Sequence, residues 1–372
     1  MEDKKPLFHF GKRDLREPNH WKNLDFEEFS FREDGVTILC FEGNGTTIKY
    51  NEDGTPNYSN ANAGCRRVES LMGIKIEATD DIYSTYKDVD LVGFSYPRVN
   101  GQNYGEMTEQ CYKYLDEKFM TLYTDKDGSL LPIDSIMKNF SKLVFSSHCY
   151  GAIVVDRIFS NINKNMLQRG MSQEQVLNVF AQSAHVTYAP HTDCSFLPTV
   201  RVESFTDSVH RYLPSLYSEK YHSKLDGIKI YHNPAGILNN SPSFASRQET
   251  IQIFSSRLIN TVDNTDLTRL KDEHEAHYLT RDANWNSSPR CGDEPLSEHA
   301  VNLDITSQMI GYALSMLAAN AIENANTKDL IPKPSMQELA GHLQGILESV
   351  PEEDLRAKEA PVTPTEQEPL AQ

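Results

Sequence analysis

Apolar residues in this chain gather in short unbroken runs, set between longer segments whose apolar positions recur every three or four residues. Runs of the first kind read as buried strands: Val36 to Phe41, Val89 to Tyr96 (VDLVGFSY) and Leu143 to Phe145, followed by Val176 to Ala181 (VLNVFA), Val200 to Phe205 (VRVESF) and Ile228 to Tyr231 (IKIY). The second pattern predicts helices over Arg66 to Met72, Tyr104 to Tyr123, Ile133 to Phe140 and the segment beginning at Ala152. Later helices are expected over Ser246 to Ile259, Asp266 to Leu279, Ile305 to Asn324 and Pro334 to Val350. Strands alternating with helices imply an α/β fold, with a mostly parallel central sheet covered by helices on both faces. No internal repeat interrupts the pattern.

Residues 1–35 are charged and aromatic, and are expected to wrap the surface as an N-terminal extension. Residues 36–330 form the α/β unit and 331–350 a C-terminal helix. Residues 351–372 are rich in Pro, Glu and Thr and poor in apolar side chains, so they are expected to be a disordered acidic tail. With 372 residues the chain can bury a large core, and nothing requires a second domain.

A formal net charge of −17 disfavours nucleic acid and anionic membranes as partners. The longest apolar run, Met309 to Ile322, is too short and too polar to cross a bilayer and reads as a core helix. The first residues, MEDKKPLFHFGKRD, lack the apolar centre of a secretory signal, which suggests a cytoplasmic-type protein. Cys40, Cys65, Cys111, Cys149, Cys194 and Cys291 are scattered without a CxxC pair, as suits free thiols in a reducing compartment.

The chemistry concentrates at SKLVFSSHCYGAIVV, residues 141–155. An apolar strand enters Ser147-His148-Cys149-Tyr150-Gly151 and a helical pattern leaves it. A nucleophile on a sharp strand-to-helix turn needs small residues two places before and two after, because the backbones close around it. Ser147 and Gly151 fill those places, with the serine where a glycine is more usual. The thiol of Cys149 would then stand at a helix N-terminus, whose dipole favours the thiolate. The plainer alternative is a small buried cysteine. His148 reads as packing, since neighbours on such a turn point in different directions.

A cysteine nucleophile needs a base, an acid to orient it and donors for an oxyanion. Asp207, following the strand VRVESF, is the candidate acid, although it could equally cap a helix, and Asp193 is a weaker rival. The base is sought in Lys271 to Leu279 (KDEHEAHYL), with His274 first, His277 beside it and His232 as a competitor. The amide of Tyr150 and the loop Gly43-Asn44-Gly45 are the oxyanion candidates. That loop lacks the third glycine and the lysine of a phosphate cradle, and the HExH spacing at His274 offers no third metal ligand. Neither a metal nor another cofactor is expected.

Taken together, VTILCFEGNG, LVFSSHCYGA, ESFTDSV and DEHEAHYL resemble the oxyanion strand, elbow, acid loop and histidine segment of the α/β-hydrolase superfamily, over roughly residues 36 to 280. The order nucleophile, acid, histidine is the superfamily's order. The resemblance implies a mostly parallel eight-stranded sheet and ester, thioester or amide chemistry. Cysteine-bearing members include dienelactone hydrolases and polyester synthases, so acyl transfer is implied beside hydrolysis. On this reading Cys149, His274 and Asp207 form the triad and the expected partner is a small-molecule or acylated substrate. The alternative is a non-catalytic member that binds a partner or small ligand. The tail is similar in composition to the C-terminal export signals of type IV secretion effectors, which would make a host protein a further expected partner.

Overall fold

The computed structural model describes residues 9–14, 21–24, 28–41, 49–50, 56–57, 64–65, 68–69, 71–72, 86–95, 113–188, 190, 196–204, 227–232, 248–255 and 299–349. Eleven strands lie among them: β1 (His9–Asp14), β2 (Trp21–Leu24), β3 (Val36–Phe41), β4 (Lys49–Tyr50), β5 (Pro56–Asn57), β6 (Val89–Ser95), β7 (Leu143–His148), β8 (Ala184–Tyr188), β9 (Thr199–Ser204), β10 (Gly227–His232) and β11 (Glu249–Ser255). The principal helices are α1 (Ile133–Phe140), α2 (Gly151–Gln168), α3 (Gln173–Phe180), α4 (His299–Asn326) and α5 (Met336–Glu348).

Nine strands make one sheet in the order β10-β11-β9-β8-β7-β3-β6-β1-β2. The six from β11 to β6 are mutually parallel, while β10 and the hairpin β1–β2 add antiparallel edges. The fold is therefore the mostly parallel α/β sheet that the alternation of strands and helices predicts, with one strand more than the resemblance implies. β4 and β5 pair separately.

Side chains alternate across the strands into two apolar layers. Leu39, Phe41, Leu143 and Phe145 pack with Ile136 and Phe140 of α1, Val155, Ile158 and Phe159 of α2, and Val176 and Phe180 of α3. Ile38, Cys40, Val144, Val186 and Val202 pack on the other side with Ile310, Leu314 and Leu317 of α4 and Leu339 and Leu343 of α5. Both faces of the parallel strands are thus buried, as such sheets require.

Three segments depart from the pattern-based expectation. VLNVFA is helical, not a strand: Val176, Leu177, Val179 and Phe180 of α3 bury one helical face, and Ser172 and Gln175 close its start as a capping box. Within Ser246 to Ile259 the chain forms β11 instead of a helix, because Ile251 and Ile253 enter one apolar layer at strand spacing. Within the expected extension, residues 9–14 pair onto β6 and residues 21–24 pair onto residues 9–14, covering what would otherwise be a sheet edge at β6. That hairpin is fastened by a part-buried ion cluster, in which Asp90 of β6 meets Lys12 Nζ at 2.6 Å and Arg32 Nη1 at 3.3 Å. The expected helix Asp266 to Leu279 and the tail 351–372 lie outside the described residues. No helix among the described residues is long and apolar enough to cross a membrane.

Candidate active site

β7 is a central strand, flanked by β3 and β8, and it runs straight into the turn that carries Cys149. The strand ends at His148 and α2 begins at Gly151, with Tyr150 already helical at φ −62° and ψ −22°. Cys149 makes the whole reversal by itself at φ 54°, the one positive φ outside glycine among the described residues. A non-glycine residue held there costs about 1–3 kcal/mol, so the surroundings must hold it.

They do so from both sides. The Cys149 amide donates to the Tyr188 carbonyl at 3.1 Å, extending the β7–β8 ladder through the bend. The Ala152 amide donates back to the Cys149 carbonyl at 3.3 Å. Opposite, Gly151 lies against the end of β3, where any Cβ would collide with the carbonyl of Phe41. Phe41 has no room to yield, since its ring stacks on Phe94 with centroids 4.4 Å apart. The second small residue of the elbow is therefore dictated by the approach of β3.

Cys149 is 8 % exposed, at the carboxyl end of the parallel strands. The first turn of α2 contains no acidic side chain of its own to offset the positive end of the helix dipole. Half-buried Tyr150 follows at the head of the helix, which places its backbone beside the bend.

Beneath the thiol, the first small residue carries a polar side chain into a sealed layer. Ser147 Oγ lies 2.7 Å from His185 Nε2 and donates to Thr187 Oγ1 at 2.8 Å. All three residues are no more than 1 % exposed. On β8, Ala184, Val186 and Tyr188 enter the α4 layer, so His185 and Thr187 point to the α2 side, where Ser147 follows Phe145. Thr199 and Arg201 of β9 align with His185 and Thr187 and continue this buried polar row.

A serine 2.7 Å from an imidazole has the spacing of a nucleophile and its base, yet this pair cannot act as one. The serine hydroxyl is shared with Thr187 Oγ1 at 2.8 Å, within the same sealed layer. Burial also pushes the His185 pKa down to about 3, and neither group reaches solvent. Nothing in the apolar pattern of the sequence predicts β8. Its only signal is the alternation in AHVTY, masked by two polar residues that face inward.

His148 is 3 % exposed and stacks on Tyr188 with ring centroids 5.4 Å apart, in keeping with a packing role. His232 is carried away from the elbow. It pairs with Glu249 at the amino end of β11, opposite the end that bears Cys149 and four strands from β7, so about 20 Å or more separates them. Asp207, Asp193, His274, His277 and the loop Gly43-Asn44-Gly45 lie outside the described residues. Among the described residues, no three His, Cys, Asp or Glu side chains converge as a metal site would require.

No protein-family model and no curated protein matches the chain. Among solved structures it is similar to a candidate carboxylesterase from Lactobacillus plantarum WCFS1, at 12% identity and a TM-score of 0.30, covering 73% of this chain and 100% of that one. So loose a likeness decides nothing about chemistry. The geometry of the elbow is the firmer guide.

Proposed function

We propose that the protein is a cysteine-dependent hydrolase or acyltransferase of the α/β-hydrolase type, acting on an ester, thioester or amide through an acyl-enzyme at Cys149. The observation that supports this reading most is the backbone of Cys149, held at φ 54° between a central parallel strand and the start of a helix. Strain of that kind is kept where a side chain must be presented at one point, and a core cysteine has no use for it.

In the proposed reaction the histidine takes the Cys149 thiol proton, the thiolate attacks the acyl carbon and the carbonyl π electrons move onto oxygen. The Tyr150 amide and the loop Gly43-Asn44-Gly45 hold that oxyanion, where each donor contributes about 3 kcal/mol. The intermediate collapses by expelling the alcohol, thiol or amine, which takes a proton from the histidine, leaving a thioester on Cys149. Water or a second substrate, deprotonated by the same histidine, then removes the acyl group. His274 is assigned as that histidine and Asp207 as the group orienting it, on their order in the chain and the resemblance of their segments. An unperturbed thiol has a pKa near 8.5, so the helix terminus and the imidazole together must favour the thiolate at neutral pH.

The exposure of Cys149, only 8 %, favours a second reading, in which the elbow survives in a protein that binds a partner or small ligand without turnover. The effector role rests on the composition of residues 351–372 alone. Wild type and Cys149→Ala are to be compared on short acyl esters and thioesters, with intact-mass detection of a Cys149 acyl adduct. The hydrolase reading expects turnover and an adduct in wild type only. Equal turnover in both would end it.

A further inference from the structure

We infer that His185 is a positioning residue for the nucleophile, acting from beneath the sheet through Ser147; this rests on the assignment of Cys149 as the reactive thiol. The position two before the nucleophile ordinarily asks only for smallness. Here it carries a hydroxyl with two hydrogen-bond contacts. Ser147 Oγ lies 2.8 Å from Thr187 Oγ1 and 2.7 Å from His185 Nε2, so both contacts fall on the same hydroxyl. One buried hydroxyl therefore bridges His185 and Thr187.

Both partners of Ser147 stand on β8, and so does the carbonyl of Tyr188 that receives the Cys149 amide at 3.1 Å. One strand thus grips the bend twice, by side chain two residues before the thiol and by backbone at the thiol itself. On the other side, Phe41 of β3 blocks Gly151. The bend cannot relax toward β3, and its remaining freedom is toward β8, where the Ser147 hydroxyl is tied. Losing that tie lets β7 shift against β8 and changes where the Cys149 sulfur sits relative to the head of α2. Small displacements of a reacting group carry large rate costs. His185 is suited to the task because its deep burial keeps it neutral throughout the pH range in which a thiol titrates, so the grip does not change as the nucleophile ionises.

The test reads the thiol and not turnover. Full-length wild type, Ser147→Ala, His185→Leu and His185→Gln are alkylated with iodoacetamide from pH 5 to 10, and the rate at Cys149 is followed by peptide mass spectrometry beside the other cysteines. Thermal unfolding is recorded for each variant. The expected result is that Ser147→Ala, which keeps the elbow small, alkylates about tenfold more slowly at pH 7 and has a displaced pH midpoint. His185→Leu should behave in the same way, and His185→Gln, whose amide can replace the Nε2 hydrogen bond to Ser147, should recover most of the wild-type rate and midpoint. Unfolding temperatures report any purely structural loss, which would not move the midpoint of the thiol in folded protein. Should His185→Leu not fold, Ser147→Ala and His185→Gln decide the matter. A fast Cys149 whose rate and midpoint are the same in Ser147→Ala as in wild type overturns the positioning role and leaves the proposed function standing. A Cys149 no faster than the other cysteines in wild type overturns the proposed function, and the positioning role with it.

Discussion

Gly151 and Phe41 touch backbone to backbone: a Cβ on the glycine would stand closer to the Phe41 carbonyl oxygen than two unbonded atoms allow. That contact joins the first residue of α2 to the last residue of β3 and sets one wall of the bend at Cys149. Replacing Gly151 by alanine must push the helix off the strand or twist the bend. Overpacking of this kind costs about 1–3 kcal/mol. The expected outcome for Gly151→Ala is a lower urea midpoint with an unchanged m-value. An unaltered midpoint would show that β3 and α2 have slack between them.

His185 makes stability depend on pH in a definite direction. Its pKa is about 3 in the fold, because burial penalises the imidazolium, against about 6.5 when unfolded. Between those values the unfolded chain binds a proton that the fold excludes. The contribution is therefore complete above about pH 6.5 and is lost progressively as the pH falls toward 3, at up to about 1.4 kcal/mol per pH unit. Acidic residues add their own slope, so the comparison that isolates it is between wild type and His185→Gln. The variant should lose less stability between pH 6.5 and pH 4.5 in urea titrations. Parallel curves for the two proteins would mean that His185 is solvated and protonated in the fold.

Asp90 is the centre of the cluster that anchors the N-terminal hairpin. Its side chain is 4% exposed and faces Lys12 Nζ at 2.6 Å and Arg32 Nη1 at 3.3 Å, and Arg32 is itself only 7% exposed. Removing the carboxylate leaves a buried guanidinium facing fewer acids, although Asp34 and Asp88 remain within 3.1 and 3.4 Å of it. Breaking a buried pair from one side costs about 3–5 kcal/mol, and the remaining acids should hold Asp90→Ala near the lower end. Hydrogen exchange should then rise first in β1 and β2, a hairpin otherwise attached to the sheet through the pairing of β1 with β6. A loss below about 0.5 kcal/mol, or exchange that stays slow in the hairpin, would show that strand pairing alone secures it.

The elbow was legible in the sequence because everything that defines it is local: Ser147, Cys149 and Gly151 sit within five residues, between an apolar strand and an apolar helix face. The sheet class followed from Val36 to Phe41, Val89 to Tyr96 and Leu143 to Phe145, whose runs are apolar on both faces, as buried parallel strands must be. β8 was not legible, because His185 and Thr187 are buried as members of a hydrogen-bonded layer and read as surface residues in isolation. β11 was obscured although Thr250, Ile251, Gln252 and Ile253 alternate at strand spacing; the longer helical window from Ser246 outweighs four residues. His232 is close to the right kind of strand and at the wrong end of it, since chain order does not show that β10 runs antiparallel.

The helical state of α3 has its own test. VLNVFA looks like a strand until Ser172 and Gln175 are included: the serine oxygen receives the Gln175 amide at 3.2 Å and the Gln175 side chain receives the Ser172 amide at 2.8 Å. That box fixes where the helix starts, and the start fixes which side chains face inward. Val176, Leu177, Val179 and Phe180 then fall on one face against α2 and the sheet. In Ser172→Ala the amides at the head of α3 lose the serine acceptor, at a cost of about 1 kcal/mol. Ser172→Asp, which restores an acceptor beside the positive end of the helix, should recover wild-type stability. Urea unfolding of the three proteins checks the series. If alanine is as stable as serine, tertiary packing alone selects the helix and the capping signal is incidental.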